Sequence, residues 1–226
     1  MDIFLRARGP GIDLGLVPED EQLADPVLQL FEGANVIATN DNWSTLDAEA
    51  IPASLPLDHP NDSALRVQLM PGAYTAVVSG AGGGTGVGIV EIFAVGESSS
   101  RLLNLSARAR VLQGDAVLIG GLIVEGDGDL PVILRAIGPS IGTDLVAAED
   151  RLADPWLQAF EGASESFLSD DWQQHESAAQ IPASHQPVHP SEAAVQGALA
   201  PGGHTAIVRG VGDGTGVGLV EVFVAP

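Results

Sequence analysis

The sequence predicts an all-β protein built from two tandem β-sandwiches of jelly-roll or immunoglobulin-like type. First, residues 71–93 (PGAYTAVVSGAGGGTGVGIVEIF) recur as residues 201–223 (PGGHTAIVRGVGDGTGVGLVEVF). Second, apolar residues alternate with other residues in short runs, which is the period of a strand with two different faces. Third, the 28 glycines and 15 prolines punctuate these runs, and no stretch has a convincing helical pattern.

The internal repeat extends over most of the chain. Residues 3–7 (IFLRA) match 132–136 (VILRA), and residues 23–26 (LADP) recur at 152–155, both at an offset of 129. After one inserted residue, the motif IPAS at 51–54 recurs at 181–184. Long self-similarity of this kind indicates two copies of one fold. We therefore predict a first copy at residues 1–96, a linker at 97–100 and a second copy at 101–226.

Short strands are predicted between the turn signals of both copies. They are residues 2–8, 27–32, 35–39, 64–70, 73–79 and 86–94, and then 131–137, 156–161, 165–169, 193–199, 203–209 and 216–224. The repeated glycine-rich stretch is expected to form a β-hairpin with a flexible tip. The acidic segments 11–22 and 140–151 are expected to form helical turns, and residues 44–62 and 173–192 are expected to be long surface loops.

One pair of strands occurs only once. Arg101–Val111 and Ala116–Glu125 have no counterpart in the first copy, and Gly120-Gly121 predicts a bulge or kink in the second strand. One sandwich must therefore lack two strands and expose a sheet edge, to which another chain can add a strand. The pattern does not decide which copy is open, and it equally fits a fragment whose missing strands lie upstream. The residues expected along the assembly edges are Ile3, Phe4, Leu5, Leu103, Leu105, Leu118 and Ile119.

Composition limits the partners. The formal net charge is −21, and all nine basic residues are arginine. Such a surface repels nucleic acid and anionic membranes. There is no cysteine, so disulfides and thiolate metal sites are excluded. The longest apolar run, Ala116–Val124, is too short for a spanning helix, and the first residues predict no signal peptide.

Two segments of the first copy resemble the prepeptidase C-terminal (PPC) domain of secreted bacterial proteins. They are LQLFEGANVIATNDNW at 28–43 and DSALRVQLMPGAYTAVVSGAGGGTGVGIVEIF at 62–93. The lead-in at 104–126 (NLSARARV, QGDAVLIGG and LIVEG) is similar to tandem repeats of very large secreted bacterial surface proteins. The second copy departs from the pattern at His204, which replaces Tyr74, and at FLSDDW in place of IATNDNW. The resemblance implies a non-catalytic extracellular β-sandwich.

Acidic turn residues are the candidate metal ligands. Asp41, Asn42, Asp170 and Asp171 stand directly before tryptophans. Calcium, the candidate cofactor, takes six to eight oxygens from such groups. The alternative is that these residues only form turns by bonding their own backbone.

The tryptophans and histidines have alternative interpretations too. Trp43 and Trp172 are either platforms that stack on sugars or caps over a sandwich end, and packing is the commoner role of a large aromatic residue. His175, His185, His189 and His204 do not have the spacing of a zinc site. No glycine-flanked serine motif predicts a hydrolase.

These observations predict a non-enzymatic structural or adhesive module outside the cell or on its surface. It is expected to associate head-to-tail with itself or with other surface components, as a filament or a surface layer. The alternative is an accessory domain of a secreted hydrolase that binds carbohydrate or another substrate.

Overall fold

The computed structural model of the protein describes residues 1–12, 17–96 and 101–225. The chain forms two compact units, Met1–Arg101 and Leu102–Pro226. Each unit contains two antiparallel sheets with a hydrophobic core between them, so the predicted pair of β-sandwiches is confirmed. The linker expected at residues 97–100 lies outside the described residues.

The first unit has two three-stranded sheets. Its strands are β1 (Asp2–Arg8), β2 (Pro26–Glu32), β3 (Asn35–Asn40), β4 (Ser63–Gln68), β5 (Tyr74–Gly80) and β6 (Ile89–Ala94). The strand orders are β4-β1-β6 and β3-β2-β5. Because alternate residues point to opposite faces, Ile3 and Leu5 of β1 pack in one cluster with Leu28 and Leu30 of β2.

The second unit has two four-stranded sheets. Its strands are β7 (Asn104–Val111), β8 (Leu118–Val124), β9 (Leu130–Ile137), β10 (Pro155–Glu161), β11 (Ser164–Ser169), β12 (Ala193–Leu199), β13 (Gly202–Gly210) and β14 (Gly216–Val224). The orders are β12-β9-β14-β7 and β11-β10-β13-β8. By the sequence repeat, β9–β14 correspond in order to β1–β6. The strands β7 and β8 therefore add one strand to each sheet of the second unit.

The glycine-rich stretch is not a β-hairpin, and that prediction is wrong. Strands β5 and β6 lie in different sheets, as do β13 and β14. Between β5 and β6, the Val87 N–H donates to the Glu21 carbonyl (2.8 Å), and the Leu23 N–H donates to the Val87 carbonyl (2.8 Å). A Cβ at Gly86 would lie 2.5 Å from the Leu23 nitrogen. Glycine thus lets the chain pass close to this segment as it crosses from one sheet to the other.

Gly120 and Gly121 do not form a bulge either. The register of β8 with β13 is unbroken from Gly202↔Val124 to Val208↔Leu118. A Cβ at Gly120 would lie 2.9 Å from a methyl group of Val220, on the facing sheet. The glycine leaves room for Val220 where the two sheets meet.

The long loop after β3 in the first unit, like its equivalent after β11 in the second, covers the outer face of one sheet. Phe4 of β1 is fully buried in a cluster with Leu57 and Ala64, against which Trp43 packs. In the second unit the corresponding cluster contains Ile133, Trp172, Ile181 and Ala194. The two long segments expected to be surface loops therefore form a second small core in each unit.

A partly buried ion pair attaches this loop to its sheet. The Arg6 guanidinium donates to both carboxylate oxygens of Glu91 (2.6 and 3.0 Å) and to the Pro56 carbonyl in the loop (2.8 Å). Burial alone would raise the pKa of Glu91, but the contacts with Arg6 and Arg8 outweigh it and lower the pKa below its ordinary value. Arg135 and Glu221 form the same pair in the second unit.

The acidic segments form helical turns in part. Short 3-10 turns occur at Glu19–Glu21 and Ala148–Asp150, while residues 13–16 lie outside the described part of the chain. Within the described residues, no helix is long and apolar enough to cross a membrane.

Candidate functional site

Each sheet of the first unit ends in two edge strands, β4 and β6 in one sheet and β3 and β5 in the other, and β5 and β6 are the two whose equivalents have a further partner in the second unit. β5 pairs only with β2, and β6 pairs only with β1, among residues 1–12, 17–96 and 101–225. In the second unit the corresponding strands have a further partner. β14 pairs with β7 over eight residues, and β13 pairs with β8 over seven. The pair that occurs once therefore completes the second sandwich and leaves the first one open.

The open edges expose residues that belong to a core. Val90 lies on the core-facing side of β6 and is 42% exposed, whereas its equivalent Val220 is 2% exposed. On β5, Val78 is half-buried, whereas its equivalent Val208 is fully buried. Nearly the same residues thus line a buried core in one unit and an open groove in the other. We call the surface between the β5 and β6 edges the open groove.

The edge residues predicted from the sequence are only partly at edges. β1 is the central strand of its sheet, and Ile3, Phe4 and Leu5 are buried, so these three residues do not form an assembly edge. β7 and β8 are edge strands of the second unit. The residues predicted there have mixed exposure: Leu105 is half-buried, Leu118 is buried, and Leu103 and Ile119 are more than half exposed.

Sequence reasoning missed the strands that actually remain open in the first unit, β5 and β6. A strand pattern does not show which side of a strand is paired, because side chains alternate across the sheet and the backbone edge lies in its plane. The only usable signal was the repeat: once β7 and β8 are known to pair with β14 and β13, the counterparts of those strands are the open ones.

Three carboxylates of the second unit lie together. Oxygens of Asp154, Asp170 and Asp171 all lie within 4.8 Å of one another. Burial raises the pKa of Asp170 above its ordinary value, and the neighbouring charges of Asp154 and Asp171 raise it further. The pKa of Asp154 is raised in the same way, first by burial and then by Asp171. Each charge therefore disfavours the others.

Two members of this cluster, Asp170 and Asp171, were predicted from the sequence, and Asp154 was not. One oxygen of Asp154 is buried and has no hydrogen-bond partner among the described atoms, and the same holds for its equivalent Asp25. The recurring Leu-Ala-Asp-Pro motif was the available signal for both residues. Three carboxylates offer part of the six to eight oxygens that calcium takes, and the calcium site at Asp41, Asn42, Asp170 and Asp171 stays a prediction.

The tryptophans occupy equivalent positions and pack inside their units. Trp172 is 8% exposed, and Trp43 donates its indole N–H to the His59 carbonyl (2.8 Å). Both lie under the long loop on the outer face of a sheet, so they do not cover the end of a sandwich as expected. This placement follows from Phe4 and Ile133, which point to that outer face and need an apolar cover.

The histidines of the second unit make local contacts. His175 and His189 each contact the hydroxyl of a serine two residues further on, at 2.8 and 2.9 Å. His204 is 5% exposed, and its Nε2 lies 2.7 Å from the Ala200 carbonyl. Its equivalent Tyr74 donates to the Met70 carbonyl in the same way (3.1 Å). The replacement of tyrosine by histidine thus preserves a link between the start of the strand and the preceding turn.

Comparison with known protein families finds no family model that matches this chain, and comparison with curated proteins finds no match.

Proposed function

We propose that the protein is a non-enzymatic structural or adhesive module of the cell exterior, which assembles with neighbouring β-sandwiches through its open groove. The observation that carries the proposal is the pair of unpaired edges, β5 and β6, with exposed core-facing residues between them. Unpaired strands are templates for pairing with another chain, and strand addition is an established mode of association. A contact of this type joins two different surfaces, so it produces a head-to-tail chain.

The extracellular location rests on the resemblance to PPC domains and on the composition. A chain without cysteine or lysine and with a net charge of −21 stays soluble through self-repulsion. The neighbours in such an assembly are other copies of the protein or other components of the cell surface. The accessory carbohydrate-binding role depended on exposed tryptophans, and the packing of Trp43 and Trp172 under loops gives it no support.

Sedimentation velocity over a wide range of protein concentration, with electron microscopy of the concentrated sample, tests the proposal. The wild type is expected to form linear oligomers as concentration rises. The variant Val90→Lys places a charge on the floor of the groove and should stay monomeric, because inward-pointing charges protect sheet edges from pairing.

The matched control is Val77→Lys, on the solvent face of β5, where Val77 is 39% exposed. This variant should assemble like the wild type. A monodisperse monomer at high concentration, in which the amides of β5 and β6 are already protected from hydrogen exchange, would refute the assembly.

A further inference from the structure

The second unit shows what kind of segment covers the open groove. β7 and β8 are consecutive in the chain, but each pairs with a different sheet, β7 with β14 and β8 with β13. Their inward-facing residues Val111, Leu118 and Val124 join the same core cluster as Val208 and Val220. One two-strand segment therefore closes the whole side of a sandwich.

The floor of the open groove is nearly the floor beneath β7 and β8. Ala76, Val78, Gly88 and Val90 correspond to Ala206, Val208, Gly218 and Val220, which are identical residues. All four are buried in the second unit, and all four are half-buried or exposed in the first. A segment that fits the second unit thus meets the same side chains in the first.

One position of the covering segment is restricted in size. Gly120 of β8 lies opposite Val220, and even a Cβ there would approach a valine methyl to 2.9 Å. Gly121 points the other way and is exposed, and its Cβ would meet its nearest neighbour, a carbonyl oxygen, at 3.9 Å. Because Val90 occupies the place of Val220 in the open groove, a segment that binds there needs a very small residue at the first position only.

An ion pair at the edge of the second unit has an acidic counterpart in the first unit. Arg110 of β7 lies opposite Val217 and donates to Asp150 (2.9 Å) in the adjoining acidic turn. In the first unit the repeat places Glu21 at the position of Asp150, in the exposed turn Glu19–Glu21. The Glu21 carbonyl accepts from the Val87 N–H, so this turn adjoins the start of β6 as its equivalent adjoins β14. An arginine on an incoming strand has an acidic partner there.

We propose that the open groove binds a two-strand polypeptide segment with the pattern of residues 102–126. Such a segment carries alternating apolar residues, a glycine opposite Val90 and an arginine opposite Glu21. The chain's own copy of this segment already covers the second unit, so a neighbouring copy that donated it would open an equal edge on itself. The occupant is therefore a further segment of this chemistry, distinct from the chain's own residues 102–126. This inference rests on the proposed function and specifies the segment that fills the groove. Self-association of copies through the groove must then use strands of the neighbour other than β7 and β8, which already pair with β14 and β13.

A labelled synthetic peptide of residues 102–126, titrated into the full-length protein at a concentration where the protein is monomeric, tests the inference. Saturable binding with one peptide per chain is expected, together with new hydrogen-exchange protection at residues 74–80 and 89–94. Binding without new protection in β5 and β6, or no binding, would overturn the inference.

Two peptide variants separate specific fit from general hydrophobic adhesion. Gly120→Leu is expected to weaken binding by about five- to 150-fold, because extra atoms at a close-packed position force the neighbouring side chains apart. Gly121→Leu, the matched control, should bind like the wild-type peptide. Equal affinity of both variants would contradict the proposed register.

A charge exchange tests the acidic contact without disturbing the fold. The protein variant Glu21→Arg, on an exposed turn, should bind the wild-type peptide about two- to fivefold more weakly. This loss of affinity is typical of an exposed ion pair. The peptide variant Arg110→Glu should restore the affinity for Glu21→Arg. Absence of this rescue would contradict the predicted position of the arginine.

The two proposals can fail separately. Peptide binding by a protein that never self-associates would refute the head-to-tail assembly and leave the groove specificity intact. If the protein self-associates through β5 and β6 but does not bind the peptide, the proposed specificity of the groove is refuted and the head-to-tail assembly still stands.

Discussion

Replacing Leu118 by alanine tests directly whether β8 is part of the second sandwich. Leu118 is 4% exposed and belongs to the core cluster that spans both sheets of this unit. Its neighbour Ile119 lies on the same strand, points the other way and is 54% exposed. The pair Leu118→Ala and Ile119→Ala therefore compares the two faces of one strand.

The expected difference follows from burial. Removing three buried carbon atoms costs about 2.4 kcal/mol at ~0.8 kcal/mol per group. The cavity that remains brings the loss for a buried Leu→Ala change to about 3–4 kcal/mol. Ile119→Ala removes groups that are half in water already, so its cost should stay below about 1 kcal/mol.

Urea unfolding followed by hydrogen exchange and mass spectrometry measures each unit separately. With a slope of about 2 kcal/mol/M, Leu118→Ala should lower the midpoint of the second unit by about 1.5–2 M and leave the first unit unchanged. Equal midpoints for the two variants would show that β8 does not pack in the core. The comparison from which we inferred the segment that binds the open groove would then be wrong.

Four further substitutions, at Glu91, Asp170, Asp41 and Trp172, test other parts of the structure. Glu91→Gln should destabilise the first unit at neutral pH. Because the pKa of Glu91 is lowered in the folded state, the ionised carboxylate stabilises the fold above the unfolded pKa near 4.5, and this stabilisation is lost as pH falls through the folded pKa. The acid-unfolding profile of the variant should therefore lack this pH-dependent loss of stability. Asp154 and Asp170 act in the opposite direction, because their pKa values are raised in the folded state. The fold loses stability as pH rises from the unfolded pKa of about 3.8 through the folded-state pKa values. Asp170→Asn should therefore raise the melting temperature of the second unit, measured in the presence of a chelator. If calcium binds, it should raise the wild-type melting temperature more than sodium chloride of equal ionic strength, and Asp41→Asn or Asp170→Asn should reduce this gain; an equal response to both salts excludes a specific site. Trp172→Ala should cost about 3–5 kcal/mol in urea unfolding of the second unit, and an unchanged midpoint would contradict its packing under the loop.

The strands were predictable because their signal is local. The alternation in β1 and β9 reads directly from residues 2–8 and 130–137, and the repeat supports each strand with a second copy. The number of strands in each unit followed from the same comparison, since only the second copy has the segment 101–125. These features can be read from the order of residues alone, and the sequence contains that order in full.

The connection between sheets was not predictable in the same way. A turn with glycine between two alternating runs fits a hairpin and a crossing between sheets equally well. What decides is a contact between Gly86 and Leu23, which lie 63 residues apart in the sequence. The same limitation hid Asp154, because its approach to Asp170 depends on how the strands between them are paired.

The open groove makes one last prediction, for which the repeat supplies its own control. β5 (YTAVVSG) and residues 204–210 of β13 (HTAIVRG) have similar sequences, so their unprotected exchange rates are similar. β13 has partners on both sides, whereas β5 has a partner on one side only within the described residues. In dilute solution, the amides of β5 that point away from β2 should exchange almost as fast as in an unfolded peptide, because no hydrogen bond must open first. In β13, the amides that point toward β10 and those that point toward β8 should all be protected from exchange. Fast exchange in β5 that slows as protein concentration rises would indicate that a second molecule covers the edge. Equal protection of β5 and β13 at every concentration would mean that the edge is already covered, and the open groove would not exist.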